Sequence, residues 1–481
     1  RFGALPPASS LMAFNTLTFI CFFLVVLGIY QVPLGWRAKK AFLLLCSYLF
    51  YAAWNPPFIL LLWLSTLVDW FAARRIHANP PHRRRRWLLL SLATNLGILG
   101  YFKYGGFVLD NFIGLAASIG LHYAPAPWSV VLPMGISFYT FQTLSYTIDI
   151  YRGHAKPAKS FLDYALYVTF FPQLVAGPIV RSVDFIPQCV VARKPTGAQF
   201  GWGCTLMTLG IFQKNLLADR LFAPVADGVF ANAHGAGFLD AWAGSMAFAG
   251  QIFCDFSGYS LCGIGVALCL GFALRDNFRY PYAAIGFSDF WRRWHISLST
   301  WLRDYLYIPL GGNRKGLTMT GRNLVITMFL GGLWHGAAWT FVAWGLLHGF
   351  LLVLEDVLRR TLGHMPVWQS PPARLFLGIC TFLAVCVTWV LFRAVDFPSA
   401  LALISSMFSP GQFELTMGKR AVFAVAGVAA LIAAHWTLRE TSLEHLAARA
   451  PAWIVSACVA AMIFLTITIS KETRGFIYFQ F

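Results

Sequence analysis

A succession of apolar stretches, with hardly a charge inside them, runs through the sequence and decides which solvent the chain folds in. They fall near residues 14–30, 41–54, 58–73, 87–102, 107–121, 130–150, 202–217, 242–252, 262–273, 324–354, 375–392, 421–436 and 453–469. Only 12% of the 481 residues are charged and 58% are apolar, whereas a soluble domain carries roughly 25% charged residues. A bilayer core about 30 Å thick takes about 20 mostly apolar residues per crossing helix. The length therefore allows about a dozen crossings, not one anchor on a soluble domain. No polar stretch is long enough for a separate globular unit, and no repeat of fixed period is present. The reading is an all-α integral membrane protein with a single membrane-embedded domain over residues 12–481. Residues Arg1–Leu11 lack an initiator Met and read as a processing remnant, with Met12 a natural start and the stretch after it a retained span.

Lys and Arg number 37 against 19 Asp and Glu, a formal charge of +18. These cations lie between apolar runs, as expected of loops that obey the positive-inside rule, and not along one soluble face, so nucleic acid is excluded as a partner. Arg37, Lys39 and Lys40 precede the turn Asn55-Pro56-Pro57, while Arg74, Arg75 and Arg83–Arg86 follow the segment after it. A down-and-back hairpin puts both basic groups on one side, assigned to the cytoplasm, and the N-terminus outside. Ten Cys include no CxxC pair, and Cys254, Cys262, Cys269, Cys380 and Cys386 read as small buried hydrophobes.

Chemistry is expected first in the polar interruption 275–322, which is rich in Arg and placed on the cytoplasmic side. Ser288-Asp289 signals the start of a helix running to about Tyr307. At 100° per residue, Phe290, Trp294, Leu298, Trp301 and Tyr305 form one stripe with Arg292, Ser299 and Arg303 opposite and His295 at the flank. An interfacial amphipathic helix explains that pattern; Arg292, Arg293 and Arg303 also suit a phosphate-bearing substrate. Farther on, Gly331-Gly332-Leu333-Trp334-His335-Gly336 sets an imidazole inside an apolar run. A titratable group at membrane depth is costly, which makes His335 a functional suspect. His348, without paired glycines, reads as a core histidine. Asp255, inside an aromatic stretch, is suited to orient a His, hold an Arg or cap a helix. The Pro and Gly of the segment 171–181 argue against a regular span there. There is no HExxH and no Cys/His spacing for a metal. No GxSxG elbow, Walker loop or dinucleotide fingerprint appears either.

The residues Asp289–Ser299 (DFWRRWHISLS), Trp301–Asn313 (WLRDYLYIPLGGN) and Gly332–Gly336 (GLWHG) together resemble the signature of the membrane-bound O-acyltransferases. Phe171–Arg181, the Asp255 segment and the ending Phe476–Phe481 resemble the alginate O-acetyltransferase branch of that family. The resemblance implies about 11 transmembrane helices plus re-entrant or interfacial ones, around a funnel or tunnel. It makes His335 the catalytic histidine and His295 its second motif histidine. Arg292, Arg293, Arg303 and Trp294 are then expected to bind the donor, with Asp255, Trp334, Asp304 and Asn313 in support. It implies no bound cofactor, a cytosolic thioester donor (acetyl-CoA or an acetylated acyl-carrier protein), a polysaccharide acceptor, and a periplasmic SGNH-type acetyltransferase or other polysaccharide-modifying protein as partner. The place implied is the bacterial inner membrane, in contact with its lipid. One departure is Leu261, where this branch usually carries Asp after Ser260.

The expected reaction is transfer of an acetyl group across the membrane, with His335 accepting the proton of the acceptor hydroxyl and His295 nearer the donor entrance. D-alanyl transfer to teichoic acid, and acetylation of peptidoglycan or cellulose, are alternatives within the family. A transporter or export component is the alternative from another class, although transporters often show internal pseudo-symmetry and none is evident here.

Overall fold

The computed structural model describes residues 12–174, 177–409, 413, 415–469 and 474–477. Arg1–Leu11 and the last residues of the ending, 478–481, lie outside them, as do Val175 and Ala176 in the segment 171–181. Among the described residues the chain is helical, with no strand. Six helices are long and apolar enough to cross a membrane: Pro56–Ala78, Phe238–Cys269, Trp339–Leu362, Pro371–Arg393, Lys419–Leu438 and Ala452–Ile469. The expected count of about eleven takes in shorter apolar helices such as Leu17–Gln31. The all-α membrane architecture read from the sequence is thus the one observed.

Two boundaries differ from the apolar pattern, each for a physical reason. The stretches near 242–252 and 262–273 belong to one 32-residue helix, Phe238–Cys269. The polar residues between them, Asp255, Ser257 and Ser260, are buried in protein, so they need not interrupt the helix to reach water. Conversely, 324–354 is two helices, Gly316–His335 and Trp339–Leu362. Four of the five cysteines read as buried are so, but Cys380 is exposed.

The chain divides into two compact units, Arg1–Cys204 with Cys262–Arg275, and Thr205–Leu261 with Asp276–Phe479. In the first, helices Ile59–Ala78, Pro81–Leu99 and Ile136–Tyr151 pack on one another. Their polar groups satisfy each other, as hydrocarbon surroundings demand. Asn95 Nδ2 donates to Asp69 at 2.8 Å, and Ser65 Oγ donates to Asn95 at 2.6 Å. Lys40, expected in a basic loop, instead lies in helix Trp36–Ala52, ion-paired with buried Asp163 and donating to the Cys189 carbonyl at 3.1 Å.

The second unit is organised by the hairpin of Gly316–His335 and Trp339–Leu362. A Cβ on Gly332 would stand 2.3 Å from the Phe341 carbonyl oxygen and 3.0 Å from Gly345 Cα. A Cβ on Gly345 would stand 2.3 Å from the Met328 carbonyl oxygen, and one on Gly349 2.9 Å from Val325 Cα. Small residues let helices in a membrane approach backbone to backbone, and here they form a continuous seam. Gly332→Val is expected to cost about 1–3 kcal/mol by overpacking. That should appear as a lowered thermal unfolding midpoint in detergent. Gly97→Ala, inside helix Pro81–Leu99 where nothing lies within 4 Å, should not lower the midpoint.

Candidate functional site

The segment expected as one helix from Ser288 to about Tyr307 is three pieces: helix Phe287–Arg293, helix Ile296–Leu302 and a π-helical turn Arg303–Tyr307. The first begins after Gly286, whose φ of +87° suits glycine. Its amino end is satisfied from outside, since Ser288 N–H donates to Glu355 at 2.8 Å. Asp289 is used differently from the expected helix start. Its carboxylate accepts from Ile285 N–H at 3.0 Å and pairs with Arg293 at 3.0 Å and Arg439 at 2.9 Å. The break falls at His295, which holds φ at +43°, a left-handed conformation uncommon in residues that carry a Cβ. Despite the break, Phe290, Trp294, Leu298, Trp301 and Tyr305 are all buried, and Arg292 and Arg303 are exposed. The helical periodicity therefore located the two faces correctly, while His295 turns from the expected flank into the interior.

Asn277 holds that turn. Its backbone carbonyl accepts from Ile296 N–H at 2.8 Å. Its Oδ1 lies 3.1 Å from His295 Nδ1 and accepts from Ser297 Oγ at 2.9 Å, and its Nδ2 donates to Ser260 Oγ at 3.1 Å. Because Nδ2 is directed to Ser260, the oxygen faces the imidazole, so His295 carries its proton on Nδ1 and its lone pair on Nε2. Complete burial pushes the His295 pKa down to about 3, so the ring is neutral at physiological pH. Phe256 meets it edge-on at 4.7 Å between ring centres.

His335 is the last residue of helix Gly316–His335, and Gly336 then turns extended at φ −160°. Its ring is enclosed by Trp334 at 5.0 Å, Trp344 at 5.0 Å and Phe392 at 5.2 Å between centres. Trp334 also reaches His295 at 6.0 Å, so one indole lies in contact with both imidazoles. Gly336 leaves room for Phe341, whose ring would be 2.2 Å from a Cβ there. The buried indole N–H groups of Trp344 and Trp389 find no acceptor among the described residues, an uncommon condition for a buried donor.

The other expected site residues separate into three groups. Arg292, Arg303 and Asn313 are exposed, and partly buried Asp304 pairs with Arg303 at 2.7 Å. Arg293 is committed to Asp289 and to the carbonyls of Arg279 and Arg439. Trp294 is fully buried, stacked on Phe290 at 5.6 Å and packed on Trp389 at 5.1 Å. Neither of these two is presented to an incoming donor. Asp255 orients no histidine and holds no arginine; it pairs with Lys214 at 2.5 Å and accepts from Ile477 N–H at 2.8 Å. Lys214 also pairs with Asp219 at 2.9 Å and donates to the Gly475 carbonyl at 3.2 Å. It was legible as a charge inside the apolar stretch 202–217; nothing in the sequence marked Asn277, Trp344 or Trp389. His348 is a core histidine as read, accepting from Trp291 Nε1 at 3.3 Å with Thr388 Oγ1 3.0 Å from its Nε2.

The chain is similar to known membrane acyltransferases. The family model of MBOAT, the membrane-bound O-acyltransferase family, matches residues 152–392. The chain is 42% identical to a probable alginate O-acetylase of Pseudomonas putida over 89% of its length and 86% of the relative's. It is 40% identical to the probable alginate O-acetylase of Pseudomonas aeruginosa, over 90% and 82%. With a peptidoglycan O-acetyltransferase of Helicobacter pylori it shares 37% identity, over 82% and 80%.

Asn277→Ala frees the His295 ring while leaving the imidazole present. Acyl transfer in membrane vesicles is expected to fall by on the order of 10²-fold through misplacement. Asn277→Asp, which keeps an acceptor at Oδ1, should recover part of the rate. Equal activity in the alanine variant and wild type would remove Asn277 from the site.

Proposed function

The chain belongs to the membrane-bound O-acyltransferase family and is a multi-pass membrane O-acetyltransferase, and from that premise we propose that it carries an acetyl group across the bacterial inner membrane to a cell-surface polysaccharide. The donor in this reading is a cytosolic thioester, acetyl-CoA or an acetylated acyl-carrier protein. The acceptor is the hydroxyl of an alginate-like polymer, reached through a periplasmic acetyltransferase partner of the SGNH type. Support for the polymer comes from the names of the relatives, two alginate O-acetylases at 40% identity or more. Support for the donor comes from Arg292 and Arg303, exposed on the side of the segment opposite the buried stripe, where guanidinium groups can meet phosphate.

The observation that carries the reading is Trp334 in contact with two buried imidazoles, His295 and His335. His335 accepts the proton as the hydroxyl that first receives the acetyl group on the way to the polymer attacks the thioester carbonyl. The new O–acetyl bond forms, the C–S bond breaks, and the thiol leaves with a proton. His335 stands at the carboxyl end of a helix, where the backbone dipoles favour a positive charge, so the imidazolium formed in this step is stabilised. General-base help of this kind is worth roughly 10² to 10⁴ in rate. Neutral His295, with Nδ1–H held by Asn277, offers Nε2 to position the thioester or its arm. The Trp344 indole N–H, buried beside His335, is the donor assigned to the oxyanion that develops on the carbonyl.

His335→Ala should abolish ester-linked acetyl on the surface polymer when the variant complements a deletion strain, with normal amounts of protein in the membrane. Full acetylation by that variant would overturn the assignment. Trp344→Phe keeps the ring and removes the N–H. It is expected to lower kcat by on the order of 10²-fold with little change in KM, measured in vesicles supplied with acetyl donor.

A further inference from the structure

The second unit holds a cavity lined by none of the residues assigned above to acetyl transfer. Arg439, just past the helix Lys419–Leu438, pairs with Asp289 at 2.9 Å, which ties that end of the helix to the basic segment 275–322. At the other end a cavity of about 480 Å³ is lined by Arg220, Arg420 and Arg474, over Leu221, Pro224 and Phe423. Cationic residues gather on one face of a membrane protein, and that bias does not account for three arginines at the end opposite the basic segment.

The local fold builds this cavity. Residues Gln213–Phe222 form a π-helix, a form found mostly as short bulges and often at functional sites. It turns Lys214 and Asp219 inward and leaves Arg220 outward. Gly427 lets the neighbouring helix seat against it, since a Cβ there would be 2.7 Å from Leu221. The nearby carboxylates are already used. Asp219, also on the lining, pairs with Lys214 at 2.9 Å and accepts from Arg474 N–H at 3.3 Å; Asp227 pairs with Arg393 at 2.8 Å and with Arg474. Arg220 gives only its Nε, to the Ile469 carbonyl at 3.2 Å. Among the described residues neither Arg220 nor Arg420 has an ion pair, and the described lining carries a positive surplus.

What sits beside that surplus identifies the occupant. Phe423 is 65% exposed and Val422 57%, on a helix long enough to cross the bilayer, while Ala421 and Ala424 are fully buried. The exposed side is the lipid side, and the arginines stand at the helix end, at headgroup depth. We propose that this cavity binds the phosphate of a membrane glycerophospholipid, with Arg220 and Arg420 as its ligands and an acyl chain lying along Phe423. A guanidinium fork fits two phosphate oxygens at once. A water-soluble anion would gain nothing from the apolar flank.

The test uses the full-length protein in detergent, titrated with phosphatidylglycerol, with diacylglycerol, with inorganic phosphate and with a soluble oligouronate, and read by native mass spectrometry. Wild type is expected to retain phosphatidylglycerol and not diacylglycerol, and Arg220→Gln/Arg420→Gln to bind it on the order of tenfold more weakly. Arg420→Gln alone removes an exposed side chain that has no ion pair among the described residues, so its unfolding midpoint without lipid should match wild type while its lipid affinity falls. Equal retention by wild type and both variants overturns the proposal. So does binding of inorganic phosphate with the same arginine dependence but no gain from acyl chains. Displacement of the lipid by oligouronate at equal concentration would make the cavity an acceptor subsite, and would overturn it too.

Discussion

Backbone contact between two helices sets the position of everything at the candidate centre. Gly332 and Gly345 approach so closely that neither tolerates a Cβ, and this fixes where the first helix stops and the second begins. His335 is the last residue before the turn. Its ring consequently lies among side chains from its own helix, from the returning helix and from Pro371–Arg393: Trp334, Trp344 and Phe392. Without the glycine seam the imidazole would have no defined neighbours.

A second constraint is the absence of water. Many of the buried charged groups in both units are paired with other parts of the chain. Lys214 holds Asp219 and Asp255, and those two carboxylates in turn accept backbone N–H groups from Arg474 and Ile477. Residues near the end of the sequence are thereby tied to the helix Phe238–Cys269. Removing one member of such a set leaves an uncompensated charge, which costs more than the set contributes. Polar interiors of this kind act more to specify one arrangement than to add stability.

Much of this was legible in the sequence. Apolar runs gave the membrane and the helices, because spanning segments are constrained by length and polarity alone. Periodicity across 290–305 separated buried aromatics from exposed arginines, and GLWHG pointed to His335. What failed had tertiary causes. Arg293 and Trp294 share the helical segment of Arg292, but Arg293 is taken up by Asp289 one turn back and by the carbonyl of distant Arg439, and Trp294 by distant Trp389. Asp255 met a lysine and not the expected His or Arg, since Lys214 comes from a π-helix that no local pattern announces. Asn277, ahead of the motif, looked like any loop residue until its side chain was seen under His295.

The left-handed backbone at His295 carries one more meaning. Such a conformation in a residue with a Cβ costs about 1–3 kcal/mol unless the surroundings impose it, and glycine would adopt it with ease. The surroundings do impose it, through Asn277 and the helices on either side. A histidine kept under those terms works as a sprung part: the torsion that aims the ring inward also stores energy that local unfolding of 294–297 would release. The segment that presents the imidazole is therefore held in place by its neighbours and not by its own backbone preference.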